Sequence, residues 1–292
     1  MINWMAYRKI YFFVSGIFIA LGIFGLLKWG LFLGVDFKGG TIAEYKFQDS
    51  ISTEEVTQKL EGEGIETSSI QITGEKQYMF RMSPLNPNEK DKFKNILETA
   101  DKSPEELRFE TVGPTIGPEL VKKTLYAAAI ASIAILLWVA YQFKSIMFGA
   151  SAILAMFHDT FMLIGAFALL GHFFGAEVDF LFVTALLTTL SFSVHDTIVV
   201  YDRIRESQGK FGGNLYDLAN KATTETMVRS LNNSFTILFM LVSLMLLGGS
   251  TIKWFAVALL IGTVSGTYSS PFVAVPLLVT WGNISKKVIT RK

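Results

Sequence analysis

The sequence lacks cysteine and has little charge, and both absences restrict what the protein can be. Without cysteine there are no disulfide bonds, no thiolate catalysis and no thiolate metal sites. Lys, Arg, Asp and Glu together make up only 17% of the 292 residues, and the formal net charge is +1. That balance indicates no nucleic-acid partner. Since soluble domains seldom contain so few charges, the composition favours a membrane protein.

The apolar residues, which make up 51% of the chain, are concentrated in blocks. A helix needs roughly 20 apolar residues to cross a bilayer. Six blocks approach that length: Ile10–Leu27, Leu125–Tyr141, Ile146–Leu170, Phe180–Val200, Phe235–Leu247 and Phe255–Trp281. The fifth spans only if Asn232 to Ser234 enter the membrane. The first precedes no small-residue cleavage site, which predicts a retained helix rather than a signal peptide.

The basic residues predict the orientation of the six helices. Short cytoplasmic loops keep an excess of Lys and Arg. If the N-terminus lies inside, the cytoplasmic side carries Arg8, Lys9, Lys144, Arg203, Arg205, Lys210, Lys221, Arg229, Lys286, Lys287, Arg291 and Lys292. The short outer loops then carry only Lys253. Both termini are therefore predicted to be cytoplasmic, with residues 30–121 on the outer face.

The long segment after the first span has a different pattern, with dense charge and alternating hydrophobicity. Its predicted strands are Thr41–Phe47, Glu66–Thr73, Gln77–Met82 and Leu107–Val112, with helices from Ser52 to Leu60 and from Asn86 to Ala100. Strand-helix-strand-strand-helix-strand is the ferredoxin-like order. The segment has no histidine and its carboxylates are scattered among lysines, which favours a binding or leverage role over catalysis.

The predicted fold class is an α-helical polytopic membrane protein. It has six transmembrane helices and an α+β ferredoxin-like domain inserted between the first and second. The expected division is the N-terminus with the first helix in 1–29, the exported domain in 30–121, a five-helix bundle in 122–283 with a cytoplasmic loop at 201–231, and a basic tail in 284–292.

Five short motifs stand beside or within these spans. They are GVDFKGGT at 34–41, VGPTIGPEL at 112–120, FHD at 157–159, DTIVVYDRIRE at 196–206 and RSLN at 229–232. In this order and spacing the chain resembles the SecF family from end to end. The matching positions with structural roles are Gly34, Asp36, Gly39, Gly40, Gly113, Pro114, Gly117, Asp202, Arg203 and Asn232.

The resemblance implies a function in protein export. Family members pair with SecD, each contributing six helices to a pseudo-symmetric bundle of the RND superfamily. The expected setting is the bacterial cytoplasmic membrane beside the Sec protein-conducting channel, with an unfolded polypeptide in transit, the proton-motive force as driving force and no cofactor. One departure is expected, because Ile237 takes the place where many family members carry an arginine.

Two dipeptides inside the spans, His158-Asp159 and His195-Asp196, are the candidate proton relay. An ionised Asp near the bilayer centre costs about 2.5 to 3.5 kcal/mol, so Asp159 and Asp196 are expected to face the bundle interior. The match of Asp196 to the family's membrane aspartate supports a proton-carrying role. Thr184, Thr188, Ser191 and His195 recur at helical spacing, which predicts one polar stripe for protons or water.

Several alternatives stay open at this point. The buried polar groups also fit plain hydrogen bonding between helices, and two His-Asp pairs also fit a metal site. An RND-type exporter of a small molecule or lipid, or a membrane enzyme, would share the six spans.

Further features predict packing and surface contacts. Gly262, Gly266 and Ser270 form a small-residue seam, and Pro271 and Pro276 predict a kink beyond it. The basic stretch from Arg203 to Arg229 predicts an interfacial helix-turn, with contact to membrane lipid as a second role.

Overall fold

The computed structural model describes residues 2–101, 103–113, 116–143 and 145–289. The helices are α1 (Arg8–Trp29), α2 (Val35–Lys38), α3 (Thr53–Gly62), α4 (Pro87–Ala100), α5 (Ile116–Phe143), α6 (Ile146–Phe174), α7 (Phe180–Phe211), α8 (Leu215–Leu247), α9 (Gly249–Ser269) and α10 (Val275–Ile289). The strands are β1 (Gly40–Lys46), β2 (Thr67–Gly74), β3 (Gln77–Met82) and β4 (Glu105–Val112). A 3₁₀ turn covers Trp4–Tyr7, and a π-helical turn, Ser270–Ala274, joins α9 to α10. The chain divides into one compact unit of Leu33–Tyr126 and a second made by the rest.

The unit of Leu33–Tyr126 contains a four-stranded antiparallel sheet in the order β2-β3-β1-β4. Thr41 on β1 stands opposite Met82 on one side and Thr111 on the other. Each predicted strand and helix of this segment is confirmed, with bounds shifted by no more than two residues. In this order β1 lies between β3 and β4, and β2 lies at one edge of the sheet beside β3.

Local sequence explains where α4 begins, one of the two helices (α3 and α4) that pack on the sheet. The Asn86 side chain accepts a hydrogen bond from the Glu89 backbone N–H at 3.0 Å, and the Glu89 side chain accepts from the Asn86 N–H at 2.8 Å. Pro87 occupies the first turn, where its missing N–H costs nothing. Both helices bury one apolar stripe on the sheet, and Phe80 of β3 meets Phe93 of α4 with ring centroids 5.5 Å apart.

Six helical segments are long and apolar enough to cross a membrane: Trp4–Trp29, Gly117–Val139, Ile146–Phe174, Phe180–Lys210, Leu215–Leu247 and Thr251–Ile284. They confirm the six predicted blocks. The fifth prediction was too short, because α8 continues well before Phe235. Asn232 and its neighbours are helical, as a span of full length requires.

Segment 201–231, predicted as a cytoplasmic loop with a helix-turn from Arg203 to Arg229, is helical except at its turn. Helix α7 continues to Phe211 and α8 begins at Leu215, so that only 212–214 separate them. Glu206 accepts from Arg203 Nη1 at 2.8 Å and from Lys210 Nζ at 2.6 Å. Pairs three and four residues apart stabilise a helix, which is why this charged stretch does not unwind.

Glycines allow two close helix crossings in the second unit, which we call the membrane unit. A Cβ on Gly22 of α1 would lie 2.8 Å from the Gly165 Cα of α6, so the two backbones touch. A Cβ on Gly266 would lie 3.1 Å from the Ser193 Cβ, and one on Gly262 would overlap Thr189. The predicted small-residue seam is confirmed, and its partner is α7.

Two further features shape the membrane unit. The helix changes to a π turn at Ser270, where the Val275 N–H bonds to the Ser270 carbonyl. This change falls at Pro271, whose nitrogen has no N–H to donate to a regular helical ladder.

Helix α5 contrasts with the others because only 6% of its apolar window is buried. Its side chains therefore need cover from lipid or from another chain.

Candidate functional site

The candidate site centres on Asp159, a buried carboxyl group on α6. Ser265 Oγ donates to Asp159 Oδ1 and Ser269 Oγ to Asp159 Oδ2, both at 2.6 Å. Ser193 Oγ also donates to Oδ2, and His158 Nδ1 lies 3.0 Å from Oδ1. The carboxyl thus ties α6 to α7 and α9. Hydroxyl donors on both oxygens are what a carboxyl needs when water is excluded.

His158 is the second buried member of this cluster. Its ring lies 6.4 Å from the Tyr268 ring, and only 6% of the residue is exposed. Its Nδ1 faces Asp159, while its Nε2 has no hydrogen-bond partner among the described residues. A buried imidazole nitrogen without a partner is unusual, and it is chemically able to accept or release a proton.

Asp196 is buried on α7 and uses a different partner. The Ser230 Oγ of α8 lies 2.7 Å from Asp196 Oδ1 and 2.8 Å from Oδ2. Ser270 also acts on this carboxyl group as a hydrogen-bond donor, and His195 and Arg229 act on it electrostatically. Asp196 therefore has fewer hydroxyl donors than Asp159 and lies in the field of a cation.

The two carboxyl groups are joined by polar groups at the π turn. Ser193, which donates to Asp159, has its carbonyl 3.4 Å from Ser270 Oγ. Ser270 Oγ also lies 3.0 Å from Thr197 Oγ1, on the residue after Asp196. Hydroxyls and backbone groups thus lead from one carboxyl towards the other along the α7–α9 seam.

His195 does not join the buried cluster. Its side chain is exposed, as are those of Thr184, Thr188 and Ser191. The predicted polar stripe exists but lies on the outside of the bundle. Thr184 and Thr188 donate to carbonyl groups one turn earlier in α7. These hydroxyls do not join α7 to a neighbouring helix.

Helix α8 continues the exposed polar surface. Arg229, Asn232, Asn233, Thr236 and Ser243 are all exposed. We call this set, together with Thr184, Thr188, Ser191 and His195 of α7, the outer polar face. Polar side chains of this kind are costly against lipid, so the face needs another protein or water.

The cation near Asp196 is Arg229, not a residue at position 237. Arg229 immediately precedes Ser230, the hydrogen-bond partner of Asp196. Ile237 is half-buried nearly two turns further along α8. Ile237 is therefore a departure from the family at its own position, and the RSLN motif supplies a cation about two turns earlier on α8.

Asp202 and Arg203 lie at the far end of α7, beside a cleft of about 620 Å³. Arg203 Nε donates to Glu225 of α8 at 2.5 Å, and Arg205 lies 3.6 Å from Asp202. Arg229 also lines the cleft. These charges cross-link α7 to α8 and surround a polar opening near Asp196.

The glycine motifs lie in the unit of Leu33–Tyr126, away from the carboxyl groups in sequence. Gly34 precedes α2, which contains Asp36, and Gly39 and Gly40 have φ of 77° and 137°. A Cβ on Gly117 would lie 2.9 Å from the Gly39 backbone nitrogen. The two glycine motifs therefore meet. The Gly113 carbonyl lies 3.4 Å from the Gly117 nitrogen, and Pro114 lies outside the described residues.

Sequence reasoning missed Ser230, Ser265 and Ser269 as partners of the carboxyl groups. Ser265 and Ser269 are four residues apart and flank the glycines of the seam, a spacing that places them on one helix face. That pattern was a usable signal. Within the described ranges, no group of three His, Asp or Glu side chains is placed to hold a metal ion.

The fold and this site define a polytopic membrane protein with carboxyl groups buried between helices. A family model described as "Protein export membrane protein SecD/SecF, C-terminal" matches residues 92–284. The SecF protein translocase subunit of Thermobaculum terrenum is 41% identical, over 97% of this chain and 95% of its own length. The SecDF subunit of Bacillus subtilis is 32% identical over 94% of this chain and 37% of its own length.

Solved structures agree with these sequence relatives. The crystal structure of SecDF from Thermus thermophilus matches with a TM-score of 0.85 and 31% identity, over 97% of this chain and 39% of that one. SecDF in the super-membrane-facing form matches with a TM-score of 0.72 and 30% identity. This chain spans about two fifths of those SecDF chains. The chain belongs to the SecF family, and it is a SecF-like accessory subunit of the protein translocase.

Proposed function

We propose that this subunit pairs with a SecD-like chain beside the Sec channel and uses proton movement through Asp196 to drive protein export. The observation that carries the proposal is Asp196 itself, buried inside a span with the Ser230 hydroxyl against both of its oxygens and Arg229 nearby. Burial penalises the ionised form, whereas a nearby cation favours it. A carboxyl under such opposed influences is suited to loading and releasing a proton.

The polar network supports a relay that includes Asp159, His158 and His195. The hydroxyls of Thr197 and Ser270 lie between the two carboxyl groups, and a water is needed where Ser270 meets the Ser193 carbonyl, because a carbonyl cannot pass a proton on. His195 lies on the outer polar face and is suited to exchange with a partner or with water. A proton crossing about 100 mV releases roughly 2.3 kcal/mol, enough to bias two arrangements of the bundle.

The outer polar face supports a SecD-like partner. It lies within two membrane-spanning helices, where most of its hydroxyls bond to carbonyls of their own helix but lipid would leave the amides of Asn232 and Asn233 unsatisfied. The SecDF relatives carry the corresponding region and a further part in one chain, more than twice as long as this one. A second helical bundle covering this face would satisfy those groups.

The topology belongs to the same proposal. Residues 30–121 form a ferredoxin-like domain on the outer face that holds the emerging polypeptide, between 1–29 and the bundle of 122–283. Both termini, including the tail at 284–292, lie in the cytoplasm of a bacterium. The element order β1-α3-β2-β3-α4-β4 and the distribution of Lys and Arg support this arrangement.

Asp196→Asn tests the proton step. In inverted membrane vesicles that contain this chain and its SecD-like partner, the variant should assemble and keep the export seen without a proton gradient. It should lose the increment that the gradient adds. Asp217→Asn is the matched control, since Asp217 is exposed in the first turn of α8. Gradient-dependent export that survives Asp196→Asn would refute the assignment.

Copurification separates this proposal from a small-molecule or lipid exporter. A SecD-like chain and the Sec channel should copurify with the subunit, and an Asn232→Leu, Asn233→Leu variant should retain less of the partner. Val242→Leu, on the apolar side of α8, is the control. An exporter would instead show altered resistance to small molecules on deletion, with no change in secretion.

A further inference from the structure

An apolar groove of about 240 Å³ opens on the side of α8 opposite the outer polar face. Its walls are α8 and the segment from α9 into the π turn. The lining residues are Met227, Leu231, Ser234, Phe235, Leu238, Val264, Thr267, Tyr268 and Phe272. Exposed residues of α8 beside it are apolar, including Val242 and Leu246. This side of the bundle therefore faces hydrocarbon rather than a polar partner.

The polar atoms at the groove are already occupied within the protein. Ser234 Oγ lies 2.6 Å from Thr267 Oγ1, and Thr267 Oγ1 donates to the Thr263 carbonyl at 2.7 Å. The Tyr268 hydroxyl donates to the Tyr11 carbonyl at 3.1 Å. The groove thus presents only hydrocarbon surface to an occupant, which suits an acyl chain and not a polar ligand.

One end of the groove is marked by aromatic and basic residues of the N-terminal segment. Trp4 Nε1 donates to Thr224 of α8 at 2.9 Å, about one turn before Met227. The Tyr11 ring lies 4.7 Å from the Phe272 ring of the groove wall. Arg8 stands one turn before Tyr11 on the same face of α1.

Helical spacing places Arg8 at this end of the groove, between Trp4 and Tyr11, whose rings lie 5.8 and 4.7 Å from the Phe272 ring, and Lys9 is the next residue. Among the described residues no acidic side chain pairs with either of them. Trp and Tyr favour the level of lipid headgroups, and basic residues near that level attract anionic lipid.

We propose that this groove holds one acyl chain of an anionic glycerophospholipid whose phosphate is bound by Arg8, with Lys9 beside it. The apolar walls select the chain, and the basic pair at the open end selects the headgroup. The groove residues are not among the hydrogen-bond partners of Asp159 and Asp196, and the Tyr268 ring lies 6.4 Å from the His158 ring.

Native mass spectrometry of the full chain tests the proposal, after reconstitution in vesicles of equal phosphatidylglycerol and phosphatidylcholine and extraction into detergent. One phosphatidylglycerol should remain bound to the unaltered chain. Val264→Phe fills the groove and should abolish retention, whereas Val242→Phe, on α8 outside the groove, should not. Equal retention in these two variants would overturn the proposal.

The headgroup half of the site has its own variant. Arg8→Gln should lower the preference for phosphatidylglycerol over phosphatidylcholine about fivefold, from the usual contribution of one basic residue at a membrane surface. Lys253→Gln, also a basic residue beside a tryptophan, should leave it unchanged. Arg8→Gln adds no bulk to the groove, so it still tests lipid binding if Val264→Phe fails to fold. No preference in the unaltered chain, or a copurified protein segment crosslinked in the groove, would refute lipid binding.

Discussion

Replacing Asp159 with alanine should destabilise the helix bundle more than the same change at Asp196. Asp159 accepts hydrogen bonds from three serines on α7 and α9, namely Ser193, Ser265 and Ser269. Among serine hydroxyls within 2.8 Å of the Asp196 carboxyl group, only that of Ser230 donates to it. Both residues are similarly buried, so the two variants differ mainly in the number of bonds lost.

The magnitude follows from that difference. Hydrogen bonds between membrane helices contribute about 0.6 kcal/mol on average. Three lost bonds at Asp159 therefore correspond to roughly 2 kcal/mol of the free energy of unfolding, against about 0.6 kcal/mol at Asp196. The three serines can turn to backbone carbonyls, as Ser269 does with Gly266 at 3.3 Å, which keeps the loss near this average.

Equilibrium unfolding of the purified chain in mixed micelles measures the prediction. Adding Ser265→Ala to each variant supplies a double-mutant cycle. The serine change should have little further effect in Asp159→Ala and its full effect in Asp196→Ala. An Asp196→Ala variant that loses as much stability as Asp159→Ala would contradict the reasoning. So would a gain in stability at Asp159→Ala, which would mean that the cost of burying the carboxyl exceeds its bonds.

Two further predictions concern packing and pH. Gly262→Ala should cost about 1 to 3 kcal/mol of unfolding free energy, because its Cβ would overlap Thr189, whereas Gly16→Ala meets nothing within 4 Å; the same unfolding assay measures both. Glu106 lies in the unit of Leu33–Tyr126. Burial raises the pKa of Glu106, but hydrogen bonds from Lys94 and Tyr45 and the charge of Lys94 hold that pKa below its ordinary 4.5. A lowered pKa adds stability that is complete above the unfolded value and is lost as pH falls through the folded value. The acid unfolding curve of Glu106→Gln should lack this loss of stability. The loss stays under about 1 kcal/mol because the Lys94–Glu106 pair is partly exposed. Identical curves for the variant and the unaltered chain would exclude a contribution from Glu106.

The unit of Leu33–Tyr126 was largely predictable from sequence because its signals are local. The Asn86–Glu89 capping box and the alternation in β1 each depend on a few adjacent residues. The charged stretch from Arg203 to Arg229 was predicted as a helix-turn, but the sequence did not give the length of its helices. Ion pairs at helical spacing, such as Arg203 with Glu206, continue α7 to Phe211.

The site was predictable in its residues but not in its geometry. Both His-Asp pairs were visible in the sequence, yet one histidine is buried and the other exposed. Helical spacing groups residues on one face without stating what that face meets. In a membrane span the face towards lipid and the face towards neighbouring helices are both apolar, so hydrophobicity does not distinguish them.

The sequence by itself determined the six spans, the strands and helices of Leu33–Tyr126, and the family motifs, because these follow from length, periodicity and capping. Only the tertiary structure decided that Asp159 is bound by serines of two other helices and that Arg229 is the cation near Asp196. It also decided that His195 faces outward. Those facts depend on how each helix is rotated against its neighbours, which is set by the close approach of small residues such as Gly22 and Gly165 rather than by any local pattern.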